Sequence, residues 1–413
     1  MKYDLIVIGA GPAGLMTAGR AGELGARVLL LEKNPSPGLK LLITGKGRCN
    51  ISNNTFESRE MIKQYGQNGA FLFSALHQFS VAETVDFFES RGLKTKVERG
   101  NRIFPVSDKS QDVLATLLKY CQDNNVEIRT NVSVKEIKKE SNKISSIVLH
   151  GDTELSAYKY CIATGGKSYP ATGSSGDAYI WLEGLGHSIV RPRPALTPIN
   201  CQESFLEKLE GLSLKNIEIS LWENDKKQAS EFGEAIFTAS GMSGPVILNL
   251  SNHIANRNSS YELQVDWKPA LDREILDKRI QNDFRKFNNK QFKNSLDELL
   301  PKSAIPVFLE LLKVDINKQV NLVTREERNR LIDLLKEFKL KVSWVHGFEK
   351  AIITRGGVNV KEVDPKTMQS KIIDNLYLAG EVLDVDGPTG GYNLQICWSS
   401  GYVAGSNIGQ NIE

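Results

Sequence analysis

Gly9, Gly11 and Gly14 form a G-x-G-x-x-G turn, and an acid, Glu32, follows 18 residues after the last of them. These residue types at this spacing suit a dinucleotide. Gly9 permits a tight turn, Gly11 lets the backbone approach a pyrophosphate, and Gly14 lets a helix pack close to a strand. The N-terminus of that helix offers unpaired N–H groups and partial positive charge to the phosphates. Glu32 is placed to accept hydrogen bonds from the adenosine ribose hydroxyls, and it would repel a 2′-phosphate. A second turn, Ala163-Thr164-Gly165-Gly166, directly follows a strand-like run, and its small residues let the chain cross close to the first turn. The third motif is LYLAGEVLDVDGPTGG, Leu376 to Gly391. A strand there ends at Gly380-Glu381, and a Gly-rich loop leads into a helix that starts near Tyr392 and carries Ser399, Gly401, Ala404 and Gly405. The positive end of that helix would face an electron-rich ring and stabilise the negative charge of a reduced flavin. The three turns together predict FAD.

A flavin brings its own redox chemistry, and the protein supplies orientation and charge. Tyr169 and Tyr392, both in glycine-rich loops, are the acid or hydrogen-bond candidates. Arg48 suits a substrate carboxylate, a flavin phosphate or a structural salt bridge equally well. Cys49 and Cys397 have no partner cysteine nearby and read as packed thiols; redox activity or a flavin adduct at Cys49 is the alternative. His187 and His346 stand outside any motif and read as structural. Five cysteines and five histidines are scattered, with no C-x-x-C and no H-E-x-x-H, so no metal is expected.

Those residues need a scaffold. Leu5 to Ile8 suits a buried parallel strand, Pro12 to Leu24 has helical spacing, and Val28 to Leu31 is a second strand, which makes a βαβ unit. Residues 39–54 read as loop with a short helix, 71–91 as helix stopped by Gly92, and 97–105 as extended. A helix capped by Ser107 or Asp108 runs to about Cys121. Strands at 126–129, 133–137, 143–150 and 154–162 then return to the sheet through a β-meander. Three prolines between Arg191 and Pro198 mark a change of composition. Beyond it, 217–222, 234–237, 246–250 and 261–265 are strand-like, 271–340 is mostly charged and helical, and 344–354 is strand-like again. The expected class is α/β: a Rossmann-like FAD-binding domain (1–191 and 346–413) with an inserted mainly-β domain (192–270) and a helical domain (271–345).

A chain of 413 residues suggests two or three domains. Its net charge of +3 allows an anionic cofactor or substrate without the basic stripe of a nucleic-acid binder. The basic stretch from Arg273 to Lys293 reads as a solvated helical face. The N-terminus lacks a signal-peptide layout and no run approaches the ~18 apolar residues of a membrane span, so a cytoplasmic location is expected.

In this order the three motifs resemble the glutathione-reductase-like superfamily of FAD proteins. The match narrows with TGKGRCN at Thr44 to Asn50, RIFP at Arg102 to Pro105, YPATGS at Tyr169 to Ser174, FTASGMSGP at Phe237 to Pro245, and TRGGV at Thr354 to Val358. With GEVLDVDGPTGGYNLQ at Gly380 to Gln395, the chain resembles the BaiN-like, or aminoacetone-oxidase-type, family of bacterial flavoproteins over nearly its whole length. The family often has glycine or asparagine where this chain has Lys46. The resemblance implies Gly9, Gly11, Ala13 and Gly14 at the pyrophosphate, and Glu32 and Lys33 at the adenosine ribose. It implies Lys40, Gly47, Arg48 and Cys49 near the flavin or its phosphates, and the Val134 backbone at the adenine. Thr164 and Gly165 would close the site, Gly380, Glu381 and Asp384 would hold the ribityl chain, and Gly391, Tyr392, Asn393 and Leu394 would line the isoalloxazine. It also implies an NAD(P)H- or oxygen-linked oxidoreductase, with activities that include amine oxidation and reduction of conjugated double bonds in bile-acid-like substrates. The expected function is an FAD-dependent oxidoreductase that acts on a small or mid-sized organic substrate by hydride transfer through flavin N5, with NAD(P)H a possible transient donor although no second G-x-G-x-x-G is present. The alternative is a flavin-dependent tRNA-modifying or RNA-associated protein that uses the basic helical insert.

Overall fold

The continuous apolar runs at residues 5–8 and 28–31 lie side by side in a five-stranded sheet. Its order is Leu376–Leu378, Ala157–Ile162, Tyr3–Ile8, Val28–Leu31, Glu127–Arg129, with every pairing parallel. Parallel strands covered on both faces need apolar residues at every position, and Leu5, Ile6, Val7, Leu29 and Leu30 are fully buried. These statements come from a computed structural model that describes residues 3–254 and 258–412. The first helix, Pro12–Glu23, has proline in its first turn, where no N–H is needed. The meander, Val134–Glu140, Lys143–Leu149 and Glu154–Leu155, is a separate antiparallel sheet.

Between the second strand and the meander, several boundaries differ from expectation. The expected helix over 71–91 is broken: Phe73–Gln78 ends at Phe79, and Val81–Ser90 restarts from Ser80, whose side chain and Glu83 form a capping box. The next helix, Ser110–Asp123, starts after Lys109. Asp108 does not cap it, because its carboxylate is taken by Arg48 and Lys96.

Ile189–Ala195 and Ile353–Val358 pair as an antiparallel ribbon that carries the chain to and from residues 196–347. That segment is one compact unit, and the described residues up to Ala195 and from Phe348 form the other. Within residues 196–347, six strands close a barrel. The run at 246–250 is a helix, Pro245–Leu250, and not the expected strand; Gly244 turns the chain at φ 96° and Pro245 opens the first turn. A five-residue apolar run carries no period that separates the two. The helices Arg273–Lys286, Ile305–Leu312 and Arg325–Lys336 bury Leu276, Ile280, Phe308, Leu331 and Leu335 in the same core as Phe237, Trp267 and Phe338 of the barrel part. Segment 271–345 is thus no independent helical body, and its last strand, Phe338–Val345, belongs to the barrel. Its basic face is laced with ion pairs: Arg273 with Asp333 and Glu337, Lys286 with Glu298, Arg328 with Asp277. Residues 196–347 hold 22 Lys and Arg against 22 Asp and Glu, so the insert is electrically balanced.

Candidate functional site

The first glycine turn is shaped by two constraints. A Cβ on Gly14 would lie 1.8 Å from the Gly9 carbonyl oxygen, and one on Gly9 would lie 2.7 Å from the Ala163 oxygen. The Ala163–Gly166 turn therefore crosses the first turn in contact, and Ala163 N donates to Ile8 O at 2.9 Å. Gly11 is different. A side chain there would meet no protein atom within 4 Å, so packing does not require glycine, whereas close approach of a pyrophosphate does. Gly11 also caps the first helix without a side-chain bond, so no side chain satisfies the first-turn N–H groups.

Glu32 organises the adenosine end. Its Oε2 accepts from Ala10 N at 3.0 Å, and its Oε1 accepts from Asn34 N at 2.9 Å and Asn34 Nδ2 at 2.8 Å. Val132 N donates to Glu32 O at 2.9 Å, which sets the strand starting at Val134 beside this turn. Lys33 points to Asp177 at 2.7 Å and to Ser175, and Asn34 Nδ2 donates to Thr172 O at 3.1 Å. The YPATGSSGD segment is thereby tied to the end of the second strand.

The third motif reaches the first through helix packing. A Cβ on Gly380 would lie 2.8 Å from the Ala13 Cβ. On the C-terminal helix, Tyr392–Gln410, Cβ atoms on Gly401 and Gly405 would each fall 2.6 Å from a first-helix carbonyl oxygen, those of Ala13 and Thr17. The two helices therefore run parallel in close contact. Gly401 lies ten residues after the cap Gly391 while Ala13 lies two after the cap Gly11, so the C-terminal helix begins about 12 Å beyond the start of the first at 1.5 Å per residue. Its first turn has neither a side-chain cap nor an acid. Two open helix N-termini offset by this span match a pyrophosphate and a flavin ring joined by a ribityl chain.

The loop between them is locked from within. Asn393 Oδ1 accepts from Gly387 N at 2.9 Å, and its Nδ2 donates to Gly387 O at 2.9 Å and Pro388 O at 3.1 Å. Tyr65 OH donates to Tyr392 O at 3.1 Å, and the two rings meet edge to face. The Tyr392 hydroxyl has the Thr55 side chain as partner, and burial raises its pKa above the ordinary phenol value. Leu394 is half-buried against the main core. Asp384 is held by Asn68, whose Nδ2 donates to its Oδ2 at 3.0 Å; burial and the nearby Asp386 raise its pKa.

Glu381 joins four segments. Its Oε2 accepts from Lys40 Nζ at 2.6 Å, and its Oε1 accepts from Ser168 Oγ at 2.9 Å and Thr354 N at 2.7 Å. The structure thus brings Lys40 and Glu381 together. Ser168, Thr354, Asn68 and Gln395 were missed in the sequence reading; Gln395 is fully buried and bonds Ser52, Thr84 and Ser399. Only Thr354 and Gln395 fall inside motifs that could have flagged them.

Arg48 makes ion pairs with Glu98 and Asp108 and stacks its guanidinium 4.1 Å from the Phe104 ring centre. Of its three possible uses, the salt bridge is the one formed. Gly47 turns at φ 83°, and Cys49, at φ 60°, is fully buried with its thiol pushed up to about 12 by desolvation. Tyr169 also sits at φ 51°; its N donates to Phe348 O at 2.8 Å, and its half-buried hydroxyl has no protein partner among the described residues. Gly165 turns at φ 73°. Thr164 Oγ1 and Asn50 Oδ1 are among the buried polar atoms that have no hydrogen-bond partner among the described residues. Buried polar atoms are ordinarily paired, so both suit contacts with a bound polar group. His187 is structural, held between Glu362 and Ser370, and His346 bonds Asn200.

The family model described as HI0933-like protein Rossmann domain matches residues 3–407. A 3-dehydro-bile acid delta(4,6)-reductase from Clostridium scindens is 32% identical over 405 residues, covering 97% of this chain and 97% of that protein. The chain belongs to the HI0933-like family of Rossmann-fold, FAD-dependent oxidoreductases. The BaiN-like resemblance is thereby shown. A ribosomal RNA dihydrouridine synthase from Escherichia coli is another relative of similar extent, 30% identical with 98% of each chain covered. The solved 3-ketosteroid delta1-dehydrogenase from Sterolibacterium denitrificans shares the fold, with TM-score 0.57, 13% identity and 99% of each chain covered. The open Gly11 face, the two offset helix ends and the unpaired Thr164 and Asn50 atoms all fit FAD, the cofactor of this HI0933-like family. No helix among the described residues is long and apolar enough to cross a membrane.

Proposed function

We propose that this protein is a reductase of carbon–carbon double bonds conjugated to a carbonyl, in small or mid-sized organic substrates. The observation that carries the reading is Tyr392 in the open first turn of the C-terminal helix, its hydroxyl half-buried and partnered by Thr55. FAD, when bound, supplies a two-electron carrier that exchanges hydride at N5, with NADH or NADPH as the source. Gly9, Gly11, Ala13 and Gly14 would bind its pyrophosphate, Glu32 the ribose, Thr164, Gly165, Gly380, Glu381 and Asp384 the middle, and Gly391 to Leu394 the ring. Asn393 keeps the loop in place through its bonds to the Gly387 and Pro388 backbone. The Tyr392 hydroxyl then holds the proton that the substrate α-carbon needs when hydride arrives at the β-carbon. Its raised pKa keeps that proton in place through neutral pH.

The names of two relatives support the same bond class. A bile acid delta(4,6)-reductase and a dihydrouridine synthase both saturate a double bond conjugated to a carbonyl. The balanced charge of residues 196–347 favours a small substrate over RNA gripped by the insert. The test is anaerobic: reduce the bound flavin with NADH and with NADPH, then add a 4-en-3-one steroid and follow reoxidation. Reoxidation with formation of the saturated ketone is expected, and Tyr392→Phe should slow that half-reaction at least a hundredfold. Reduced protein that no conjugated enone reoxidises sinks the reading.

A further inference from the structure

The hairpin Thr95–Glu98 and Arg102–Pro105 and the TGKGRCN loop carry more cations than their acids can balance. Glu98 and Asp108 are both used by Arg48 and Lys96. Arg102 donates only from Nε, to Arg99 O at 2.9 Å, and neither it nor the exposed Lys46 has a carboxylate partner among the described residues. Both terminal nitrogens of the Arg102 guanidinium are therefore left for another acceptor, in the fork geometry that suits a carboxylate or a phosphate.

Their place in the fold is specific. Arg102 pairs across the sheet with Asn53, whose Nδ2 donates to Gly390 O at 3.1 Å, immediately before the C-terminal helix. Lys46 follows Gly45, whose Cβ position is 3.3 Å from the Phe104 ring, and Arg102 lies 5.8 Å from the centre of the same ring. In the same loop Asn50 holds its unpartnered buried Oδ1. Arg102 thus lies near the Phe104 ring, and Lys46 follows the glycine that abuts the same ring, on a hairpin and loop tied through Asn53 to the helix end that carries Tyr392.

We propose that Lys46 and Arg102 form a rim that selects substrates bearing an oxyanion, a carboxylate or a phosphate, remote from the bond that is reduced. This rests on the reductase reading for the location of the substrate, but it concerns charge and not turnover. An anion on the substrate docks on the Arg102 fork and the Lys46 ammonium, and the substrate's apolar body extends towards Tyr392. Lys46 is the more easily tested of the two, because it occupies a left-handed conformation at φ 58° in which glycine is unstrained.

The oxidised holoenzyme is titrated with matched pairs, and the spectral shift of its flavin reports binding without turnover. One pair is a 4-en-3-one steroid carboxylate and its methyl ester; the other is uridine 5′-phosphate and uridine. At low salt, at least tenfold tighter binding of the charged member is expected in one pair or both, and the responding pair identifies the anion's source. Lys46→Gly and Arg102→Gln, each checked for flavin content, should bring that ratio towards one, as should raising the salt. Equal binding within both pairs, no response to any of the four, or a ratio that both variants leave intact overturns the rim. Charge-selective binding without reoxidation by any enone would overturn the reductase reading and leave the rim standing.

Discussion

Gly401 of the C-terminal helix rests on Ala13 of the first helix so closely that a Cβ would lie 2.6 Å from the Ala13 carbonyl oxygen. That contact sets the offset between the two helix ends. Any side chain there must push the helices apart, because the nearest obstacle is backbone and cannot rotate away. Gly401→Val should destabilise the protein by about 1–3 kcal/mol, the range for overpacking a filled interior. It should also weaken FAD binding at least tenfold, read as a lower flavin-to-protein absorbance ratio and a lower melting temperature. Full flavin occupancy in this variant would show that the offset does not matter to the cofactor.

The sequence places Glu32 as a ribose ligand, and the structure adds a second duty. Three N–H donors from Ala10 and Asn34 converge on its two oxygens. In Glu32→Gln one oxygen becomes an NH₂ that must face a donor, leaving a buried N–H unpaired at about 1–3 kcal/mol. The apoprotein should therefore lose stability in chemical denaturation, before any cofactor effect is counted. If only FAD affinity changes, measured by fluorescence titration, the duty is towards the ligand alone.

Much of the cofactor site was legible because its requirements are local. Gly9, Gly14, Gly380 and Gly391 answer to backbone geometry that neighbouring residues announce. Arg48 was not decidable, since its partners Glu98 and Asp108 lie 50 and 60 residues away, on a hairpin and just after it. Lys33 finds Asp177 across 144 residues, and Ser168, Thr354 and Glu381 meet only when the sheet is assembled. The helices after residue 271 looked autonomous because their surfaces are charged. Arg273–Lys286 and Arg325–Lys336 each bury too narrow an apolar stripe to stand alone, and the shared core with the barrel supplies the rest.

Asn393 makes three hydrogen bonds to the Gly387 and Pro388 backbone. Asn393→Ala removes all of them and frees a loop that has glycine at 387, 390 and 391. FAD affinity should fall about tenfold or more, and limited proteolysis should cut near Gly387 in the variant and not in the parent. Unchanged proteolysis would assign the loop's order to the Tyr65–Tyr392 contact instead.

The five cysteines offer a test of the packed interior that is independent of any cofactor. Desolvation pushes the thiols of Cys49, Cys121, Cys161, Cys201 and Cys397 up to about 12. At pH 8 the folded protein should therefore hold almost no thiolate, and the buried Cys49, Cys121 and Cys161 should react with dithiodipyridine only as fast as the chain opens. Denaturant should release all five at once. A group whose folded pKa is raised stabilises the fold below its unfolded pKa and loses that contribution as pH climbs towards the folded value. Unfolded thiols ionise near pH 8.5–9, so the urea midpoint should hold steady to about pH 8 and then decline towards pH 11. A fast thiol in the native protein would single out a reactive cysteine, and Cys49 or Cys397 would then return as a candidate for redox chemistry at the flavin.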